Sequence, residues 1–318
     1  MTERYPVLYR SIQGVALLMA ASALLFPGEI SHIQAVCALV LILFGGIPHG
    51  ATDFVIFRHM HMPVLVSRKM ATFLGLYIAL MGIYSFVWWM VPLLGLLIFL
   101  GISVYHFGQS NWNYISFPSK FQSKFTYVLW GSWVLFFPVI WHFDEAAPII
   151  GDLLGISPLL IVLPWSGKAL ATGLAGLTLL WIFYQKSLGT LSTNQTRDEC
   201  INLGILSFAF TQLPLLLGFA LYFVAWHSFS SILDQIGSYR KMVDKAYNFR
   251  HYLKDVWLFS LMAILFTGVW MTASFQSEAR IDWAFLFVFI SVVTLPHMLL
   301  IDQLYSENHE KKTQIHER

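Results

Sequence analysis

Long apolar runs follow one another along most of the chain, and they constrain its fold more than any other feature of the sequence. A helix that spans a membrane needs roughly 20 apolar residues, with a range of about 17 to 25. Ten stretches approach or exceed this length: residues 11–27, 33–56, 70–91, 93–108, 126–142, 147–164, 168–185, 200–232, 256–275 and 283–301. These runs predict an all-α protein, a polytopic transmembrane helix bundle with about 8–10 spans.

Two of these stretches leave the number of spans open. Residues 147–164 contain an Asp and a Pro, so they are compatible with a re-entrant or interfacial segment. Residues 200–232 are too long for one straight helix, and Pro214 predicts a kink or a break within them. Because no repeat or linker marks a second domain, residues 1–302 are predicted to form a single integral membrane helical domain. A polar cytoplasmic tail over residues 303–318 is predicted to follow it.

The composition supports a membrane protein and excludes several other classes of protein. Hydrophobic residues make up 57% of the chain and charged residues 11%, whereas a soluble domain usually has about 25% charged residues. The net charge of +2 is too small for a nucleic-acid-binding surface, and the high hydrophobicity excludes a disordered chain. Cys37 and Cys200 lie in or at the start of apolar runs, which favours small buried side chains over a disulfide.

Lysine and arginine side chains concentrate between alternate spans. They occur before the first span and in residues 57–69, 109–125 and 234–255, whereas the turn after the fifth span holds Asp144 and Glu145. Because short cytoplasmic loops carry the excess of positive charge, both termini are predicted to be cytoplasmic. The membrane is expected to be a bacterial inner (plasma) membrane. The first stretch also resembles a signal peptide, but we favour a helix that is retained.

Four of the 11 histidines interrupt apolar runs. The other seven lie in basic loops, in the polar tail or at a membrane face, where a solvated or interfacial histidine is expected. The four within apolar runs are His49, His106, His227 and His297. A polar side chain inside a membrane is costly unless it has a partner, so these four are the candidate functional residues.

The spacing to the nearest charged loop predicts that these histidines share one depth. His49 lies nine residues before Arg58 and His297 lies five residues before Asp302, with His227 between these limits. The imidazoles are then about 8 to 14 Å from the cytoplasmic edge. Imidazoles on four helices at one level can converge on a single centre, and an all-nitrogen set suits Fe, Cu, Zn or Ni. The alternative is that each histidine is hydrogen-bonded to a neighbouring helix.

Polar residues near the histidines are candidates for supporting them or binding a cofactor. Asp53 follows His49 by four residues, one turn along the same predicted helix face, where its carboxylate can accept an imidazole N–H. Asn111 and Ser231 are weaker candidates for the same role. A simple ion pair between Asp53 and Arg58 explains this Asp equally well.

Short segments around the histidines resemble the Brp/Blh family of membrane β-carotene 15,15′-dioxygenases. They are Gly46-Ile47-Pro48-His49-Gly50-Ala51-Thr52-Asp53, Tyr105-His106-Phe107-Gly108-Gln109, Trp226-His227-Ser228 and Leu295-Pro296-His297, in the order found in the family. The resemblance implies a multi-span helical enzyme that binds Fe(2+) as its cofactor, with His49, His106 and His227 as catalytic metal ligands. It also implies that O₂ splits the central double bond of β-carotene to give two molecules of retinal.

The sequence departs from the family pattern at two of these segments. The family has His-Ser-x-Arg-His at the third segment, whereas this chain has Ser230 and Ser231 in place of the Arg and the second His. The second segment ends in Asp in the family and in Asn111 here. We therefore predict His297 as the fourth metal ligand or as a residue that lines the site. A three-histidine site and a lost metal are the alternatives.

The predicted partners are a carotenoid substrate, O₂ and the lipid bilayer, with no nucleic acid, and a homo-oligomer is compatible with the sequence. A long polyene is insoluble in water, so an enzyme within the bilayer meets it without extraction. Buried histidines in a membrane protein are also compatible with three other functions: a desaturase or hydroxylase, a membrane metal- or haem-binding protein, and a transporter with a histidine proton relay. The clustered histidine boxes of desaturases do not occur within any span.

Overall fold

The computed structural model describes the backbone of residues 6–61, 68–163, 166–242, 245–278 and 282–316, and these residues form helices and turns without a strand. The α-helices are α1 (Pro6–Leu25), α2 (Pro27–Leu41), α3 (Ile47–Gly50), α4 (Asp53–His61), α5 (Arg68–Met90), α6 (Pro92–Trp112), α7 (Lys120–Trp141), α8 (Phe143–Leu154), α9 (Gly167–Ser187), α10 (Thr193–Gln212), α11 (Leu215–Leu221), α12 (Phe229–Met242), α13 (Phe249–Glu278) and α14 (Trp283–His316). Two π-helical turns, Ile42–Gly46 and Tyr222–Ser228, join α2 to α3 and α11 to α12.

Within the described residues, nine helical segments are long and apolar enough to cross a membrane. They are Val7–Leu25, Pro27–Phe57, Met70–Met90, Pro92–Trp112, Lys120–Trp141, Gly167–Ser187, Leu215–Arg240, Phe249–Ala273 and Trp283–Asp302. This confirms the predicted polytopic helix bundle. Most of the surface of several of these segments is exposed in the isolated chain, as expected for helices whose apolar side chains face lipid.

Residues 147–164 are the doubtful span of the sequence, and their described part, 147–163, does not form one. Helix α8 contains 12 residues and ends at Gly155, whose φ of 64° is left-handed. A left-handed residue satisfies the last carbonyl groups of a helix and stops it, and glycine adopts this conformation without a steric penalty. At about 18 Å, α8 is too short to cross the bilayer.

The long stretch 200–232 is broken at Pro214, as the sequence predicted. Helix α10 ends before the proline and α11 begins after it, because proline lacks the N–H that would continue the helix. The first two turns of α10 contain the charged residues Arg197, Asp198 and Glu199, which explains why this helix is not among the nine apolar segments.

Helix α10 nevertheless extends over the full length of α7. Near its start, Glu199 accepts a hydrogen bond of 2.6 Å from Tyr114, in the turn that precedes α7. Near its end, the carbonyl oxygen of Phe210 lies 2.7 Å from Nε2 of His142, which follows α7. Its 20 residues span about 30 Å, enough to cross the bilayer. Counting α10 as a crossing gives the even number that two cytoplasmic termini require; the side of each terminus stays a prediction.

Several predicted loops are shorter than expected, because the helices continue into them. Helix α4 reaches His61 and α5 begins at Arg68, within the predicted loop 57–69. Helix α14 continues to His316 and includes most of the predicted polar tail. The side chains of the histidines in these extensions, and that of Arg58, lie outside the described residues.

The chain divides into two compact units, each made from two separate stretches of sequence. The first unit is Met1–Gly46 with Ser103–Ser231, and the second is Ile47–Ile102 with Ile232–Arg318. In the first unit, α7 packs against α9, α1 against α10 and α2 against α11. In the second unit, α14 packs against α5 and α4, and α13 packs against α3.

The first unit has an unusually close approach between α6 and α7. A Cβ atom at Gly108 would lie 1.8 Å from the carbonyl oxygen of Tyr127, and one at Gly131 would lie 1.7 Å from that of Val104. Only residues without a side chain allow the two backbones to approach this closely, as is common between helices in membranes. These glycines therefore set the position of the half of α6 that carries His106.

Candidate functional site

Two of the four candidate histidines, His49 and His297, lie side by side in the second unit. Their Nε2 atoms are 3.1 Å apart. The ring centroids are 4.7 Å apart and the ring planes meet at 84°. Both residues are only 3% exposed, so the pair predicted to be buried is buried and its two members are in contact.

His49 lies on a helix that is interrupted on both sides. Pro48 cannot bond to the carbonyl four residues earlier, and its ring crowds that turn, which accounts for the π-helical turn Ile42–Gly46 just before it. After His49, the backbone N–H and the hydroxyl of Thr52 both bond to the His49 carbonyl oxygen, and α3 ends. The carbonyl of Pro48 is left outside the helical pattern and accepts a hydrogen bond of 3.0 Å from the hydroxyl of Tyr252.

His297 is held by Asp53, on a different helix. Its Nδ1 donates to Oδ1 of Asp53 at a distance of 2.5 Å. The other carboxylate oxygen, Oδ2, accepts a hydrogen bond of 2.6 Å from the hydroxyl of Tyr77. Asp53 is 4% exposed, so these two donors supply what water would supply at the surface.

The position of Asp53 corrects an expectation from the sequence. A spacing of four residues predicted that Asp53 would hold His49, but the structure places its carboxylate on His297. The spacing argument needs an unbroken helix, and the helix is broken between Gly50 and Asp53 at the turn stabilised by Thr52. His297 in turn contacts His49, so Asp53 supports the pair from the far end.

The other two candidate histidines, His106 and His227, lie side by side in the first unit. Their ring centroids are 4.8 Å apart with an angle of 74° between the ring planes, and each residue is 3% exposed. His106 is on α6, and His227 is in the π-helical turn Tyr222–Ser228. Each pair thus has one histidine in or just after a π-helical turn, a feature that often marks functional sites.

Aromatic side chains surround His227. Phe223 stacks on its imidazole with the centroids 5.7 Å apart, and Phe107 approaches it edge-on at 4.8 Å. Phe219 stacks on Phe223 at 5.9 Å and continues the same apolar surface. The immediate surroundings of this histidine are therefore apolar and aromatic.

Asn111 and Ser231, the two weaker candidates, have other partners in the first unit. The hydroxyls of Ser231 and Ser110 are 3.0 Å apart, and both residues are buried. Asn111 donates to Oε2 of Glu199 at 3.4 Å. We therefore place Asn111 in a polar network around Glu199 that joins the end of α6 to α10.

Sequence reasoning missed the Glu199 network and the role of Tyr77. Glu199 stands beside Arg197 and Asp198 in the sequence, where a solvated side chain is expected, yet it is 4% exposed and accepts hydrogen bonds from Tyr114 and Asn202. Burial, reinforced by the Glu199 carboxylate, raises the pKa of Tyr114 well above its ordinary value, so this phenol stays protonated and donates. Tyr77 has no distinguishing signal in the sequence, because it lies within an ordinary apolar run.

The His49–His297 pair has the geometry of two metal ligands. The Nδ1–H group of His297 donates a hydrogen bond to Asp53. In a neutral imidazole the other nitrogen, Nε2, then carries a lone pair, and this lone pair is directed toward His49. Two imidazole nitrogens bound to one transition metal at about 2.1 Å, at an angle of about 90–110°, are about 3.0–3.4 Å apart. The observed 3.1 Å between the Nε2 atoms agrees with this spacing. A carboxylate behind a ligating histidine is also typical of metal sites.

Comparison with known proteins agrees with the motifs. The model of the family "Beta-carotene 15,15'-dioxygenase" matches residues 38–305. A curated "Beta-carotene 15,15'-dioxygenase" from the uncultured marine bacterium 66A03 is 30% identical over 282 residues, which cover 85% of this chain and 93% of that protein. No solved structure matches the chain significantly. The family match includes all four histidines of the two buried pairs.

Proposed function

Since the chain belongs to the β-carotene 15,15′-dioxygenase family, we propose that it cleaves the central double bond of β-carotene, or of a related carotenoid, with O₂ and releases retinal. The reaction balances without a further reductant, because the double bond breaks and each of its carbons gains one oxygen atom as an aldehyde. The observation that carries the proposal is the family match over residues 38–305. It favours this reaction over the desaturase, haem-protein and transporter functions.

The proposed cofactor is Fe(2+), bound by His49, His106, His227 and His297. The four imidazoles are buried and form two contacting pairs, and the Asp53 carboxylate bonds to the far side of the His297 ring. These contacts support the four histidines as ligands. Neutral imidazole nitrogen is a suitable ligand for ferrous iron. When bound, iron would supply the redox chemistry that activates O₂.

The protein's own residues would keep the reaction dry and hold the polyene. Phe107, Phe219 and Phe223 make the surroundings of His227 apolar, which is compatible with a hydrocarbon substrate. The burial of the histidines excludes bulk water. β-Carotene carries no polar group, so the chain needs no charged residue to recognise it.

The proposed location is a bacterial plasma membrane with both termini on the cytoplasmic side. The nine apolar segments together with α10 support an even number of crossings. In that arrangement each of the four histidines lies in the cytoplasmic half of its helix, as the depth estimate predicts. The substrate would then reach the protein laterally through the bilayer.

Expression of the chain in bacterial cells that accumulate β-carotene tests the reaction. We expect the cells to lose their orange colour and to contain retinal, measured by chromatography of extracted pigments. A His106→Ala variant expressed at the same level should keep the colour. Stable β-carotene with the wild-type chain in the membrane, iron supplied and O₂ present would refute the proposal.

Iron analysis tests the cofactor separately. Protein purified from iron-supplied cells is expected to contain about one iron per chain, bound through imidazoles. His49→Ala and His227→Ala variants should each lose it. A wild-type protein that cleaves carotenoid yet contains no iron would refute the cofactor and leave the reaction class standing.

A further inference from the structure

The Asp53 carboxylate joins two side chains from helices that are distant in sequence. His297, on α14, donates to Oδ1, and Tyr77, on α5, donates to Oδ2. With both oxygens bonded, the carboxylate cannot turn without breaking one of the two hydrogen bonds. The Tyr77 hydroxyl therefore helps to fix the orientation of the Asp53 carboxylate, and with it the position of the oxygen that accepts the hydrogen bond from His297.

We propose that Tyr77 is a positioning residue for the metal site, acting through Asp53 on His297. The inference rests on the proposed function, because it takes His297 as a metal ligand. A ligand imidazole binds best when its ring is already turned toward the metal, and a hydrogen bond to its other nitrogen provides that orientation. Tyr77 would supply the next hydrogen bond outward, which keeps the acceptor itself in place.

Tyr77 is well placed for this role because its ring is held independently of Asp53. The ring packs edge-on against Phe73 at 5.7 Å, and Phe73 stacks on Phe57 of α4 at 4.0 Å. The Tyr77 hydroxyl also lies 3.4 Å from the carbonyl oxygen of Val293, one turn before His297. Tyr77 therefore contacts both helices whose relative position determines the Asp53–His297 hydrogen bond.

Removal of the hydroxyl alone isolates the effect. In Tyr77→Phe the ring and its packing on Phe73 remain, while Asp53 loses one of its two donors. A buried carboxylate that lacks one of its two donors is destabilised and is free to turn about the remaining hydrogen bond. His297 then loses a fixed acceptor, and the free energy of binding a metal at Nε2 becomes less favourable.

The test is titration of metal-free protein with Co(II), followed by the visible absorption of the ion when it is bound by imidazoles. We expect Tyr77→Phe to weaken Co(II) binding by about tenfold, the low end of the range for residues that support metal ligands. The matched control is Tyr84→Phe, on the same helix. Tyr84 is buried, and its hydroxyl donates to the carbonyl oxygen of Gly95 at 2.7 Å. This variant loses a comparable hydrogen bond without touching Asp53.

A second comparison shows whether Tyr77 acts through Asp53. In an Asp53→Asn background, the Tyr77→Phe change should reduce Co(II) affinity by less than about twofold, because the residue that transmits its effect has already been altered. Thermal melting of the metal-free variants provides the structural readout. A general packing defect would lower the melting temperature of Tyr77→Phe well below that of Tyr84→Phe.

The outcomes separate this inference from the proposed function. Equal Co(II) affinities for Tyr77→Phe and Tyr84→Phe, or equal effects of Tyr77→Phe in both backgrounds, would overturn the positioning role alone. Wild-type protein that binds Co(II) through His297 but leaves carotenoid intact would overturn only the reaction. Wild-type protein that binds no Co(II) would overturn the positioning role together with the proposed metal site, and the expression test with β-carotene would still decide the reaction.

Discussion

The carboxylate of Asp53 accepts the Nδ1 proton of His297, although 244 residues separate the two in the chain. This hydrogen bond ties α14 to α4 and directs Nε2 of His297 toward Nε2 of His49. The family pattern implies His49, His106 and His227 as metal ligands. The hydrogen bond from His297 to Asp53 adds His297 to the candidate site. The orientation of His297 is the feature from which the first two predictions follow.

Asp53→Asn should weaken metal binding by about 10- to 100-fold, as loss of a carboxylate behind a ligating histidine usually does. The amide oxygen can still accept a hydrogen bond from His297. It lacks the negative charge that makes the imidazole a stronger ligand for a metal ion. Iron content and carotenoid turnover measure the effect. Asp152→Asn, at an exposed carboxyl on α8, is the control and should change neither. Normal iron content and turnover in Asp53→Asn would remove this role.

His297→Ala should release iron as completely as His106→Ala does, because each would remove one of four ligands. Elemental analysis of both purified variants checks this, with His32→Ala, at an exposed histidine of α2, as the control. Retained iron and activity in His297→Ala would show a three-histidine site. In that case Ser231→His, which restores the histidine of the family pattern, should raise iron affinity.

Gly131→Ala should destabilise the first unit by about 1–3 kcal/mol, since an added methyl group must push α6 away from α7. The new Cβ would meet the carbonyl oxygen of Val104, which is backbone and cannot rotate aside. Thermal unfolding in detergent measures the loss, and a drop in iron content is expected because α6 carries His106. Gly173→Ala on α9 is the control, since a Cβ there meets no atom within 4 Å. Similar melting temperatures for the two variants would contradict the close-contact argument.

Glu145 should make a pH-dependent contribution to stability. Burial opposes its ionisation, but hydrogen bonds from His142 and from the backbone N–H of Leu215, with the attraction of His142, prevail and lower the pKa of Glu145 below its usual value. A carboxyl group whose pKa is lower in the folded state stabilises the fold, and this contribution is complete at pH values above the pKa of the unfolded state. The contribution is lost as the pH falls through the pKa of the folded state.

Glu145→Gln is therefore expected to lower the free energy of unfolding by about 1 kcal/mol near neutral pH, a value reduced for the partial exposure of this side chain. The difference from wild type should shrink as the pH falls below about 4. Thermal melts across this pH range check it. A difference that stays constant from pH 7 to pH 3 would show that ionisation of Glu145 is not involved.

Much of the architecture follows from the sequence because lipid leaves few alternatives. An apolar run of sufficient length must form a helix in a membrane, since its backbone groups can bond only to one another. The break at Pro214 follows from the missing N–H of proline. The four buried histidines could also be identified in advance, because each interrupts an apolar run. Family membership then follows from the motifs around them.

The partners of these residues depend on contacts that local spacing does not encode. Asp53 was expected behind His49, but the turn at Thr52 breaks the helix and the packing of α14 presents His297 instead. Tyr77 is indistinguishable from other aromatic residues of its apolar run, and only the packing of α5 on α14 brings its hydroxyl to Asp53. The sequence by itself therefore determined that four histidines are buried in the membrane and to which family the chain belongs. Tertiary structure decided which of them are hydrogen-bonded, because those bonds depend on where separate helices pack.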